Sequence, residues 1–531
     1  LAFVPGPSLS YNIHSMKKTS IFLSLFIAIA VGAQAATVAV YHTSDVHGWY
    51  SARPAAWDND NPTRLIGGFP ALAALLKKET TPYILLDSGD MFQGTPEGIL
   101  TRGLSSMALM NQVGYSAAVP GNHDYDFGAD NLRSLFGSAN FPLLGANIYN
   151  KADNTAPDYM KPYAVFERAG RRIAVLGLAG KHTATSTRPE NVKHLEFRNE
   201  TAEAAKWLPV IKEQAPDAVV VLTHWGIDEA ISLKRLDIST WTFTTEPDGT
   251  LQIVRSVPGI DLLLGGHDHT ALYKGYKDPV SGTWIGESGY GLSYVTRAEL
   301  TFDDKTGKLT DISVAALPLW IDRTGEDPAV LATVAGFNAS VEIKMGRVVG
   351  EAASDLTFAT DGLDSVIGNW LCDITRKATG ADLAFHNTKA IRTPIKKGPV
   401  LLRDLYQTMP FDNDVITMRL NGAQLQQLMA DNIVDNMSFI QVSGLEVQFK
   451  PGADRKPDHI VLTRNGKPIK PDQEFTVATN DYLAYGGNGG DAFAGGRDIV
   501  DTMIPVRSLM EQAFARGKVK APKRGRIKRI D

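Results

Sequence analysis

Five short apolar stretches of this chain each run directly into a polar block that carries glycine, and this repeated junction limits the folds open to it. An apolar run of about four to eight residues, bounded by glycine and polar residues, reads as a buried strand. Strands are therefore expected at 37–43, 83–87, 117–119, 173–178, 218–222 and 261–264, with helical spacing at 69–78, 104–113 and 202–213. Strands alternating with amphipathic helices indicate an α/β chain. Turn signals at Ala169-Gly170 and at 304–307 predict hairpins, so the sheets should be mixed rather than purely parallel.

The pattern changes after Pro318. Asp327-Pro328 has the form of a helix cap followed by proline at the first helical position, and the helix should run to about 344. This divides the chain into a first domain at 36–326, a linker helix at 327–345 and a second domain at 346–531. The second part should contain a helix at 423–436, a hairpin at Asn465-Gly466 and a strand at 474–479. At the other end, Lys17 and Lys18, an apolar run at 21–31 and Ala33-Gln34-Ala35 have the form of an export signal at 16–35, with 1–15 as an upstream extension. The expected destination is the periplasm. The run is short for a bilayer span, so no stable membrane insertion is expected.

Charge and cysteine usage narrow the function. With 54 Lys+Arg against 58 Asp+Glu, the chain lacks the basic excess of a nucleic-acid binder. The basic C-terminal run 517–531 contains no aromatics and reads as solvated charge. A single cysteine, Cys372, allows neither an internal disulfide nor a thiolate metal cage. Any metal must be held by nitrogen and oxygen donors.

Such donors are what the strand-end blocks supply. Asp45 and His47 lie in TSDVHG, Asp90 in DSGDMFQG, Asn122, His123 and Asp126 in GNHDYDFG, His224 in LTHWG, and His267 and His269 in GGHDHT. Loops at the ends of strands in α/β proteins commonly carry function. Hydrolysis of a phosphate ester needs an activated water and neutralisation of the phosphoryl charge, and two divalent cations about 3.5–4 Å apart supply both. A carboxylate must bridge them, and Asp90 is the candidate. Asp45 and His47 are two residues apart on an extended segment and can face one ion. His267 and His269 share that spacing and could serve one ion each, while Asn122 offers a neutral oxygen. Donors of this type suit Zn, Mn, Fe or Co. His42, His182, His194, His386 and His459 lie outside the blocks and read as structural or solvent-exposed. Asp87 and Asp124 read as supporting or capping groups.

The order D-x-H, GD, GNH(D/E), H, GHxH resembles the calcineurin-like metallophosphoesterases, and GNHDYDFG resembles the secreted 5'-nucleotidase and UDP-sugar hydrolase family among them. The resemblance implies a four-layer αββα sandwich, a linker helix and a C-terminal α/β 5'-nucleotidase domain. It also implies two divalent metals, one held by Asp45, His47, Asp90 and His269 and the other by Asp90, Asn122, His224 and His267. His123 would stabilise the transition state, with Asp126 orienting its ring and favouring its charged form. In the second half, LDSVIGNWLCD, HNTKAIR, MPFDNDV, QVSGLE and NDYLAYGGNGG resemble the substrate-binding segments of that family. By that likeness Asn387 and Arg392 would contact ribose or phosphate, Phe411 and Tyr482 would sandwich the base, Asn413 would bind its edge, and Asn488 would face the ribose.

Three departures stand against the family pattern. Lys389 replaces an expected glycine, Asn488 replaces an acid, and an arginine expected near Asp361 is absent. The expected function is an exported, two-metal 5'-nucleotidase acting on small nucleotides rather than nucleic-acid polymers. The alternatives are a 2',3'-cyclic-nucleotide phosphodiesterase/3'-nucleotidase, a UDP-sugar hydrolase, or a nucleotide-binding surface protein without turnover. Both a monomer and a dimer fit the sequence.

Overall fold

The computed structural model describes residues 36–530 apart from 56, 59, 229–247, 436 and 453–455, so the expectations for 1–35 lie outside the described residues. Among the described residues no helix is long and apolar enough to cross a membrane.

Two mixed sheets form the first half. The seven-stranded sheet is centred on Ala36–Thr43, antiparallel to Tyr294–Phe302 and parallel to Tyr83–Asp87. The six-stranded sheet carries Arg171–Leu178, Ala218–Thr223 and Leu262–Gly265 side by side and parallel. Alternation along each strand sends successive side chains to opposite faces. Val38, Val40, Ile84 and Leu86 of the first sheet thus meet Val175, Val220, Leu222 and Leu264 of the second in one shared core. The opposite faces are covered by helices. Phe69–Leu76, Leu104–Val113 and Pro328–Met345 lie on the first sheet, and Glu200–Lys212 and Thr250–Ser256 on the second, giving αββα layers. Both expected hairpins form, pairing Arg168 with Arg171 and Phe302 with Leu309.

Pro328–Met345 begins where the cap signal placed it. The Asp327 carboxylate accepts hydrogen bonds from the backbone N–H groups of Ala329 (3.1 Å) and Val330 (3.0 Å). Its early residues Val330 and Val334 join the core of the first half, and its late residues Val341 and Met345 join that of the second.

The second half is built on a five-stranded sheet in the order Ile440–Ser443, Leu383–Asn387, Glu474–Asn480, Asp414–Asn421, Arg497–Pro505. One face packs on Val366–Thr379 and Val506–Ala515 through Trp370, Leu371, Met510 and Phe514. The other packs on Gly422–Asn432 through Leu425, Leu428 and Met429. This last helix begins as expected, with a reciprocal capping box between Asn421 and Gln424. It stops at Asn432, short of the expected end, because the β-branched pair Ile433–Val434 leaves the helix for a two-stranded ribbon. The basic C-terminal run forms an edge strand at Ile527–Arg529, and Lys518, Arg524 and Arg526 pair with Glu351, Asp361 and Asp373.

Candidate active site

The polar blocks converge because the parallel strands of both sheets open onto one edge. Asp45, Asp90 and Asn122 follow strands of the first sheet, and His224, His267 and His269 follow strands of the second. Asp45, His47, Asp90, His267 and His269 all take positive φ, between 50° and 75°. That backbone costs about 1–2 kcal/mol per residue in an L-amino acid, and Asn, Asp and His are among the residue types that adopt it most readily. The turn folds each side chain back into a common centre. Gly121 makes room for it, since a Cβ there would lie 2.2 Å from Asp90 Oδ1.

Within that centre the donor atoms fall into overlapping groups. Asp45, His47 and His269 form one, and Asp45, Asp90 and His224 another, with ligand atoms in each group within 4.8 Å of one another. Asp45 belongs to both, and Asp90 reaches both: its Oδ2 is 3.6 Å from His47 Nε2 and 3.3 Å from His224 Nε2, while Oδ1 accepts the His123 backbone N–H at 2.8 Å. His224 Nε2 also lies 3.2 Å from Asn122 Oδ1. Asp124, read as a supporting group, accepts from the backbone N–H groups of Asp90, Met91 and Gly121 and fixes the loop that carries Asp90.

These donors fit divalent metal ions. His47 Nδ1 donates to the Gln93 carbonyl (2.6 Å) and His224 Nδ1 to the Ser88 carbonyl (2.6 Å), which turns both Nε2 atoms inward. An imidazole anchored at one nitrogen presents the other as a metal ligand. His47 Nε2 and His269 Nε2 lie 3.1 Å apart, close enough for one ion to be held by both. Burial drives His47 down to about 3 and His269 well below the usual histidine range, so both rings stay neutral and each keeps a lone-pair nitrogen for a metal. The carboxylates respond in opposite directions. Burial raises Asp45 to about 7, whereas at Asp90 the neighbouring His224 and His123 overcome burial and hold the carboxyl well below its usual range. Burial also opposes charge on His224, but Asp90 and Asp45 prevail and lift it to about 10. The centre therefore calls for positive charge beside Asp90.

A cavity of about 630 Å³ opens from this centre and is lined by both halves of the chain. At its inner end His123 Nδ1 is 2.9 Å from Asp126 Oδ2, and Asp126 Oδ1 accepts from Thr187 Oγ1 at 2.9 Å. From the second half, Arg392 Nη2 donates to His123 Nε2 at 2.8 Å, and the Phe411 ring stacks on His123 with centroids 5.0 Å apart. Arg392 can only donate, so in this contact His123 accepts through Nε2 and donates to Asp126 through Nδ1.

The remaining substrate-side residues line the same cavity, and most have partners. Tyr482 Oη donates to the Thr185 carbonyl (2.9 Å), and Asn488 Nδ2 donates to Ser186 Oγ (2.9 Å). Asn413 is buried, with its amide donating to Asp481 at 2.6 Å, and Asp481 also pairs with Arg188. Asn387 Oδ1 accepts from Asn480 at 2.8 Å. Lys389 lies on the cavity wall, its ammonium 5.7 Å from the Phe439 ring centre.

Residues 38–271 match the calcineurin-like phosphoesterase family, and residues 348–495 match the 5'-nucleotidase C-terminal domain. The chain belongs to the calcineurin-like metallophosphoesterases of the 5'-nucleotidase type. It is 26% identical to "Protein UshA" of Yersinia enterocolitica, over 90% of this chain and 91% of that protein. It is also 26% identical to a 5'-nucleotidase of Vibrio cholerae, over 85% of each chain. The fold resembles that of a 5'-nucleotidase precursor from Thermus thermophilus, with a TM-score of 0.81 at 24% identity over 93% of this chain and 99% of that one.

As a metallophosphoesterase of this type, the chain adds residues that sequence reasoning passed over. Tyr290 packs its ring 4.6 Å from His269 and 5.2 Å from His47. His182, read as structural or solvent-exposed, instead lies in the centre: its ring stacks on His267, with centroids 3.8 Å apart and planes 27° apart. The one signal for it was position, since it follows Arg171–Leu178, a strand parallel to those that deliver His224 and His267. Among the described residues, the other four histidines outside the blocks are buried in hydrogen bonds of their own (His42, His386) or exposed (His194, His459).

Proposed function

We propose that this chain is an exported two-metal phosphohydrolase that removes phosphate from 5'-nucleotides and releases the nucleoside. The observation that carries this reading is Asp90, whose Oδ2 lies 3.6 Å from His47 Nε2 and 3.3 Å from His224 Nε2 at the inner end of a cavity that also holds His123, Arg392 and aromatic rings. Asp45, His47, Asp90 and His269 would hold one divalent ion, and Asp90, Asn122, His224 and His267 the other, a donor set that suits Zn, Mn, Fe or Co. When bound, the pair acidifies a water and neutralises charge on the phosphoryl group.

The side chains supply the rest. Asp126 and Thr187 hold the His123 ring in place; once Arg392 turns away, Nε2 of His123 faces the cavity, where, carrying a proton, it would stabilise charge on the phosphoryl group in the transition state. Arg392 leaves His123 for the phosphate oxygens, which it can grip in bidentate fashion. Phe411 and Tyr482 would take the base between them, with Asn387, Asn413 and Asn488 contacting its edge and the ribose. The segment at 16–35 supports export to the periplasm.

Lys389 on the cavity wall favours a second reading, because it adds a cation that a substrate with a second phosphate or a cyclic phosphodiester could engage. UDP-sugar hydrolysis and 2',3'-cyclic-nucleotide hydrolysis are both of this kind. The test is phosphate release from AMP, UDP-glucose and 2',3'-cyclic AMP, with and without chelator. Metal-dependent turnover with AMP as the best substrate supports the first reading, and preference for either of the others supports the second. Binding of nucleotide without turnover of any of them would leave a nucleotide-binding surface protein.

A further inference from the structure

His182 occupies a place that its sequence context does not explain. It caps the short helix Thr183–Ser186 without a side-chain bond to it. Both of its ring nitrogens are buried, and neither finds a hydrogen-bond partner among the described residues. Leaving two ring nitrogens out of water without partners is unfavourable unless something else engages them. Its neighbours offer that something: one nitrogen lies within 4.8 Å of donor atoms of both His224 and His267. The backbone makes room for this placement, since a Cβ on Gly180 would come within 2.1 Å of His182 Cε1 and 2.6 Å of its Nδ1. A side chain at 180 would push the ring out of the cluster.

We infer that His182 is a further ligand of the metal position shared by Asn122, His224 and His267, so that three imidazoles serve this ion in this chain. The inference rests on the two-metal reading above and extends it to a residue outside the motif blocks. The stack on His267 alone could be a packing contact, and the choice of variants separates the two roles. His182→Phe keeps an aromatic ring on His267 but removes the nitrogen donor. His182→Gln keeps a donor of similar reach but removes the ring.

The measurements are made on the full mature chain loaded with Zn(II) or Co(II). Retained metal is determined by elemental analysis after dialysis against graded chelator, the Co(II) visible spectrum reports coordination, and circular dichroism checks the fold. Wild type should retain two ions. His182→Phe should lose one at a chelator concentration at least about tenfold lower, with an altered Co(II) band, and His182→Gln should recover part of the loss. Wild-type retention and an unchanged Co(II) spectrum in both variants would overturn the inference and leave His182 a packing neighbour. If His182→Phe does not fold, His182→Leu, which offers no donor, decides in its place: weakened retention with a changed spectrum supports ligation, and wild-type behaviour overturns it. Failure of the wild type to take up two ions overturns the two-metal reading, a result distinct from wild-type behaviour in the variants.

Discussion

The two walls of the cavity are held in different ways. On the metal-facing wall each donor is fixed from within its own half: His47 by the Gln93 carbonyl, His224 by the Ser88 carbonyl, and Asp90 by the His123 backbone N–H. On the facing wall several side chains reach across the gap. Arg392 bonds to His123, Tyr482 to Thr185 and Asn488 to Ser186. The first wall is therefore preorganised whatever the second half does. The second must exchange protein contacts for substrate contacts before it can recognise anything. Chemistry and recognition are separable here, and substitutions should divide accordingly.

The largest effect is expected at Asp90. Asp90→Asn should lose metal and turnover together, with activity down by at least about 10³-fold, equivalent to about 4 kcal/mol of transition-state stabilisation. Phosphate release and elemental analysis on the same preparation check this, and retention of both would remove Asp90 from the bridge. Chelation of the wild type should reproduce the loss of activity and also lower the melting temperature, because a ligand that binds only the folded state stabilises it.

His123→Ala sharpens the comparison, since His123 stands where the walls meet. Its kcat should fall by about 10²–10³-fold while the metal content stays at the wild-type level. Loss of metal in this variant would show that the two walls are not independent.

Phe411→Ala and Tyr482→Ala should act on recognition. Each removes a stacking surface worth about 1–3 kcal/mol, so KM for a nucleotide should rise about 5–100-fold with kcat largely kept. An equal fall in kcat would mean that the rings position the reacting group, and the division between walls would fail.

The smallest effect is expected at Asn488. Asn488→Ala removes one neutral hydrogen bond to Ser186, worth about 0.5–1.5 kcal/mol, so KM should change by no more than about tenfold. A collapse of kcat would show that this contact sets the closed geometry.

Much of the first half was legible because its signals are local. Buried strands announce themselves as apolar runs, and strand ends as glycine beside polar groups; strands form at five of the sites where they were expected to introduce donor blocks. The cap at Asp327 is likewise a matter of adjacent residues. The second half was less legible. Gly422–Asn432 ended early because short-range β-branching outweighed helical periodicity. Asn413 and Asn488 read as substrate-side amides, and nothing in their sequence context signals that Asp481 and Ser186 bond to them. A hydrogen bond between residues far apart along the chain leaves no periodic mark.

The sequence by itself determined which chemistry is available: carboxylates, imidazoles and an amide at strand ends, with no thiolate to compete. Ligand type and spacing are properties of a few consecutive residues, so they survive without knowledge of the fold. Only the tertiary structure decided that His182 joins the donors, that Arg392 meets His123 across 269 positions of chain, and that the recognition wall is already in contact with its opposite. Those facts depend on how two sheets align their open ends and how a second half packs against them, and proximity of that kind is set by the packing of whole layers rather than by any residue's neighbours in sequence.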